Sequence, residues 1–558
     1  MKRSTAAALF AILLLAVILR LLPLLRSMYW GSDFGEYYAL TRALVQNGAL
    51  PTAYGGWGVT YPWFPGLFVV NGAFVVAGMP ADAVVVFLVP VLAAFGVLPM
   101  FLLAVRVTGD DGAGLAAAAF LGVAFPHVFP TSHGIPASLG DFLLLGALVL
   151  FLAVRRSPKL FVPLVLAGLA TVVTHHLATY VLLLAASSAL LLRILLDRGL
   201  RMRDVRLEFT FLVVLVGATL AFWSAYALPF WTFIATTPPS SPALVLLAGV
   251  GVVVSVPALL YLRRRSVWRF RPRLHSVRGA AVATGLAFAT IVGIAVAVSL
   301  APVPGTSIQL QLPALLPFVP MFAFLALSAG GRKVLDFARE GPDVTAWFVA
   351  LVLSIVLGAL LIPEVLIPYR HLEYLAIPLA VMIGAGLRWL TLGADGRRRA
   401  AAIGAAMLLV AGSAATAYPP PATLAGFNEG IAAKTVEAAL WVRTHADGLV
   451  AGDHRESTVL FGIGGVDATW DRELRFWHTT DGTLALAAMH DVRLNDRRAN
   501  VTWVMIDADL RAGLQATPFD PALPLLPAEE AKFTTTPFQK LYDSGFAQVY
   551  FVNWGLAP

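Results

Sequence analysis

The sequence predicts an α-helical polytopic membrane protein that carries a small α/β or α+β domain at its C-terminal end. Composition is the first reason. Of 558 residues, 59% are hydrophobic and 13% charged, and the mean hydropathy is +0.79. A soluble chain of this length exposes far more charge, whereas repeated apolar runs near twenty residues are long enough to cross a hydrocarbon core. Charge order is the second reason, because basic clusters recur only in alternate loops between those runs. The third is a change of character near residue 418: eleven basic and seventeen acidic residues follow it, leaving +14 on the part before it. Cysteine is absent, which excludes a disulfide frame and a Cys-ligated metal. The basic residues sit in short loops, which is not the footprint of a nucleic-acid binder.

The first apolar run, 4–25, is interrupted by Arg20 and lacks a small-residue cleavage site, so it reads as an uncleaved anchor. Twelve more follow at 81–105, 112–128, 138–154, 160–175, 177–196, 209–230, 242–262, 279–300, 312–330, 344–362, 373–391 and 399–418. Threaded alternately, these spans put five basic clusters (155–159, 193–206, 263–278, 332–339 and 397–399) on the same side as Lys2 and Arg3. By the positive-inside rule that side is cytoplasmic, and the C-terminal domain is extracytoplasmic. The count depends on keeping 64–78 out of the membrane. That segment is short and holds Pro65, Gly66 and Asn71, which suits an interfacial or re-entrant helix. The expected division is a membrane domain over 1–418, with a first outer loop over 26–80, and a soluble domain over 419–558.

The first outer loop opens with Gly31-Ser32-Asp33-Phe34-Gly35-Glu36-Tyr37-Tyr38. A charge at the water–lipid boundary is cheap to hold there and can reach a lipid-anchored substrate. On a helix Asp33, Glu36 and Tyr37 share one face. One reading is a helix start, with Asp33 as N-cap and Glu36 closing a capping box. The other is chemical: Asp33 as general base toward an acceptor hydroxyl, with Glu36 orienting it or holding a divalent cation. Tyr61-Pro62-Trp63-Phe64-Pro65-Gly66 follows, either as an interfacial aromatic anchor or as the lining of a groove for a polyprenyl chain or a sugar ring.

Histidines gather on the same side. His127 and His133 flank the loop 126–136, and His175-His176 occupies a tight turn between two spans. Adjacent histidines seldom chelate one metal, and no HxxxH or HExxH spacing occurs, so the metal signal is weak; a divalent cation stays open, with Glu36, His133, His175, His176 and Tyr61 as candidate contacts. In 363–374 Arg370 is the one basic side chain of the outer loops between Arg106 and the linker, histidines aside. Glu364 or Glu373 would be its structural partner; a lipid phosphate gripped bidentately would be its functional one. After the linker 417–421, 435–445 fits an amphipathic helix with Val436, Ala439, Leu440 and Trp441 as candidates for one face. Strands are expected at 449–451, 457–461, 501–506 and 547–552, with a loop at 462–465. Asn500-Val501-Thr502 is a glycosylation sequon.

Taken together, Gly31-Ser32-Asp33, Tyr37-Tyr38, Asn47 to Pro51, Tyr61 to Gly66 and Arg370 opening a late span resemble the GT-C superfamily of polyprenyl-phosphate-dependent glycosyltransferases, of the aminoarabinose/mannosyltransferase kind. The resemblance implies inverting transfer of a sugar from a polyprenyl-phosphate donor to a hydroxyl on a glycan, lipid or protein acceptor, with Asp33 and Glu36 as catalytic acids. Tyr37, Tyr61, His133, His175, His176, Arg370, His371 and Glu373 are the expected substrate contacts, and membrane lipids the surroundings. Two departures stand out. The acids are separated by Phe34-Gly35, and the stretch Ala451 to Ser457 stands where the Asn-glycosylating branch carries WWDYG. A multi-span transporter or flippase would show an internal repeat, helices broken near the bilayer midplane and ionisable residues within spans; no internal repeat is found, and the acids lie at span boundaries. A scaffold of surface-glycan assembly would keep Asp33 and Arg370 apart.

Overall fold

A computed structural model describes residues 2–196, 200–238, 277–303, 306, 308–391, 394–470, 476–494, 497–514 and 523–557. Among these, nine helices are long and apolar enough to cross a membrane, from Arg3–Leu25 to Gly396–Ala415. Asp111–Val123 and Phe125–Thr131 form a further pair bent by 58°. The bend sits at Ala124, whose extended backbone (φ −69°, ψ 124°) interrupts the helix just before Pro126, a residue with no N–H to continue it. Two shorter apolar helices, Pro158–Thr174 and Val282–Ala297, stand where spans 160–175 and 279–300 are expected. The expected span 242–262 and most of the 263–278 cluster lie outside the described residues. Gly66–Val76 is eleven residues, about 16 Å of helix, well short of the hydrocarbon core, and it packs against Phe34–Asn47.

The helices pack around a main apolar core in which Phe151, Phe211, Phe324 and Trp347 are buried, with smaller clusters beside it, one of them between the first span and the helices that hold Val97 and Ala118. Beyond Ala415 the chain builds a four-stranded sheet. Its strand Val501–Asp507 pairs parallel with Leu449–Ala451 and antiparallel with Ala547–Val552, whose far edge carries Phe538–Asp543. The helix Ala433–His445 buries Val436, Ala439 and Val442 on the sheet, while Leu440 faces out. One expected strand is wrong: 457–461 is helical, part of His454–Val459 and the wide turn that follows it to Gly464. Asp453 caps that helix through the Glu456 N–H while Glu456 returns a bond to the Asp453 N–H. This reciprocal cap outweighs the strand preference of the β-branched residues behind it.

The strand-containing C-terminal domain is joined to the loop after the first span by shared structure. Tyr29–Trp30 pairs antiparallel with Gly430–Ile431. Phe34, Tyr37, Leu40 and Phe68 share one buried cluster with Val436, Ala439, Val459 and Leu460. Contact is closest at Gly35, whose N–H donates to Thr458 Oγ1 at 3.0 Å; a Cβ there would stand 1.7 Å from the Thr458 carbonyl oxygen. The Phe34-Gly35 pair that separates the two acids is therefore the point where the distal domain docks.

Candidate active site

The helix Phe34–Asn47, closed at its far end by Gly48 in the left-handed region (φ +70°), fixes both acids of the loop. Asp33 occupies the N-cap position, yet its side chain accepts nothing from the helix backbone. Its oxygens turn elsewhere. Oδ1 meets His454 Nε2 at 2.8 Å, and Oδ2 accepts the Tyr61 hydroxyl at 2.7 Å and the Tyr37 hydroxyl at 3.4 Å. Burial by itself would raise the Asp33 pKa. The hydrogen bond and charge of His454, the Tyr61 bond and the charge of Arg370 outweigh it and hold the carboxyl below its usual range.

Glu36, one helical turn on, has another task. It is fully buried, and Oε1 accepts the Tyr54 hydroxyl at 2.6 Å and the Gly58 N–H at 3.1 Å. It thereby pins the loop bearing Trp57, whose ring meets that of His454 edge-on at 4.8 Å. Burial, then the neighbouring charge of Asp33, push Glu36 up to about 7.

A cavity of about 300 Å³ opens beside Asp33. Its acidic, guanidinium and imidazole lining is Asp33, His133, Arg370, Glu373, Glu429 and His454; Phe125, Phe129, Leu372, Leu424 and Phe427 supply an apolar wall. Asp33 and Arg370, 337 positions apart in the sequence, thus face one space. Glu429 accepts the Ser32 N–H at 2.6 Å, and burial raises it to about 7. Burial, helped by the charge of Arg370, drives His133 down to about 3 against the pull of Asp33, so this imidazole is neutral.

Of the residues expected from the sequence, Asp33, His133, Arg370 and Glu373 line the cavity, and Tyr37 and Tyr61 bond to Asp33. Glu36 lies behind it. Three histidines do not line it: His175 is buried with its Nδ1 3.4 Å from the Tyr374 hydroxyl, His176 lies tilted against the Phe230 ring at 4.5 Å, and His371 bonds Ser354 Oγ at 3.0 Å. His127 is taken up in a buried chain, 3.0 Å from Arg20 and 2.9 Å from Asp141. Trp57, Glu429 and His454 were not anticipated. His454 is 421 residues from its partner, and no spacing rule links the two. Among the described residues no group of three His, Asp or Glu side chains is arranged to hold a metal ion.

No protein-family model matches the chain, and no curated protein matches it. Solved structures do. The archaeal oligosaccharyltransferase AglB from Archaeoglobus fulgidus, in complex with an inhibitory peptide and a dolichol-phosphate, superposes over 100% of this chain and 75% of its own, with a TM-score of 0.57 at 13% identity. The arabinofuranosyltransferase AftD from Mycobacteria matches 99% of this chain and 40% of its own, with a TM-score of 0.51 at 14% identity. The chain therefore has the GT-C fold.

Proposed function

We propose that the chain is an integral-membrane glycosyltransferase that moves a sugar from a polyprenyl-phosphate donor to a hydroxyl acceptor, with inversion, on the extracytoplasmic side. One observation carries this reading: the Asp33 carboxyl and the Arg370 guanidinium line a single cavity that also has an apolar wall. The fold supports it, since AglB and AftD are glycosyltransferases and the AglB structure holds a dolichol-phosphate.

The donor's sugar-phosphate occupies the polar part and its chain runs along the Phe125–Phe129 wall. Asp33 has two hydrogen-bonded oxygens but about four acceptor positions, so a lone pair remains for the acceptor's proton. As that proton passes to Asp33, the acceptor oxygen bonds to the anomeric carbon from the face opposite the phosphate. The bond from that carbon to the phosphate oxygen breaks, its electron pair stays on the oxygen, and polyprenyl phosphate departs. Arg370 neutralises the charge that develops on it. His454 keeps Asp33 ionised and aimed before the transfer. Positioning supplies much of the rate, because phosphate is already a workable leaving group.

The test is a panel of polyprenyl-phosphate sugars incubated with the purified chain, with release of free polyprenyl phosphate as readout. Asp33→Asn is expected to lower single-turnover release about a thousandfold or more while the protein stays folded and inserted. Normal release from that variant would remove Asp33 from the chemistry.

A further inference from the structure

A second cavity, of about 660 Å³, lies at the opposite end of the bundle, about 27 Å away along the helix Pro136–Ala153. Five guanidinium groups line it, those of Arg155, Arg193, Arg203, Arg206 and Arg339. Carboxylates are fewer. Arg155 donates to Glu208 at 2.7 Å and to both oxygens of Asp343 at 2.6 and 3.0 Å, and Arg193 donates to Glu208 as well. Asp204 stands 3.7 Å from Arg203, with both exposed. Among the described residues Arg206 and Arg339 are exposed and have no ion-pair partner. Three carboxylates against five guanidinium groups leave two positive charges in one concave space. The positive-inside rule asks for basic residues on this side but not for their convergence on one cavity.

Two further features mark what this space would hold. The first turns of the helices Met202–Ala221 and Gly341–Leu361 border it through Arg203, Asp204 and Pro342, and they add the positive ends of two helix dipoles. Next to it an apolar stripe faces outward. Val162 and Leu166 of Phe161–Thr174, with Phe209 and Val213 of the neighbouring Met202–Ala221, turn between 47% and 63% of their surface away from the protein. We propose that this cavity binds the phosphate headgroup of an anionic phospholipid, whose acyl chains lie along that stripe. Two spare positive charges match a headgroup carrying one or two phosphates.

The experiment is native mass spectrometry of the purified full-length chain after exchange into phosphatidylglycerol or phosphatidylcholine. Retention of phosphatidylglycerol over phosphatidylcholine is expected. Arg206→Gln lowers it about fivefold, and the triple change Arg203→Gln, Arg206→Gln, Arg339→Gln about a hundredfold. Arg206 is exposed and unpaired, so the single variant tests the site even if the triple one fails to fold. Arg156→Gln removes a charge that pairs with Glu340 outside the cavity and leaves retention unchanged. Equal retention of the two lipids, or undiminished retention in Arg206→Gln and the triple variant, overturns the proposal. Complete displacement by millimolar inorganic phosphate would make the site one for a free anion and overturn the lipid assignment.

Discussion

The two ends of the helical bundle hold charge in different ways. At the basic end the buried carboxylates are met by guanidinium groups: Glu208 by Arg155 and Arg193, Asp343 by Arg155, and Glu340 by Arg156. Only positive charge is left over. At the Asp33 end both signs stand around open space, and His133 Nε2, Glu373 Oε1 and His454 Nδ1 are buried without a partner. Each such atom costs about 1–3 kcal/mol when left unpaired. The basic end can tie helices together and hold an anion, but it has no free base. On the proposed reading, the Asp33 end takes a proton and stabilises an anion in the same step.

That contrast breaks first at Arg155. Arg155→Met leaves Glu208 with Arg193 alone and Asp343 with no direct partner, and it is expected to destabilise the protein by about 3–5 kcal/mol. Activity per folded molecule should stay unchanged when release is normalised to the folded fraction from a thermal melt. A fall comparable to that of Asp33→Asn would erase the division between the ends. His454→Gln comes next, with release lowered about a hundredfold. His454 is a positioning residue here, and the pH profile separates that role from mere structure. Its bond and charge hold the Asp33 pKa down, so in the variant that pKa rises and the acid limb of the rate profile moves to higher pH. In the wild type, burial alone would lower the His454 pKa, but the bond and charge of Asp33 raise it instead. The pair's contribution to stability is complete between about pH 3.8 and pH 6.5; it is lost as pH rises through the raised His454 value and as pH falls through the lowered Asp33 value. An acid limb that stays in place would reduce His454 to packing.

Much of this fold is written in local pattern, and much of the site is not. Runs of apolar residues with basic clusters between them register the helices because burial in lipid acts on each segment separately. The strand 547–552 is legible for a similar reason, as a short β-rich run after a turn. The segment 457–461 is misread because its helix is fixed by the reciprocal cap of Asp453 and Glu456, which precedes it. Asp33 and Arg370 are visible as isolated charges where charge is scarce. His454 is not, since an imidazole in a polar domain carries no signal until Gly35 lets that domain approach. His175, His176 and His371 mislead for the converse reason: rarity singles them out, while each is occupied by a neighbouring ring or hydroxyl.

Glu36 offers the smallest effect and the sharpest separation of two carboxylates one turn apart. Its folded pKa of about 7 stands above the ordinary 4.5, first because it is buried and then because Asp33 is charged. A carboxyl raised in this way binds more protons folded than unfolded, so stability is lost as pH rises from about 4.5 to about 7. At pH 8 the ionised side chain costs roughly 3 kcal/mol, an upper figure for a group so close to a second acid. Glu36→Gln keeps an oxygen for Tyr54 and Gly58 and cannot ionise. It should therefore melt higher than wild type at pH 8, lose that advantage by pH 4, and change the release rate less than about tenfold. If release instead falls as far as in Asp33→Asn, Glu36 shares the chemistry, and its place behind the cavity is not its working position.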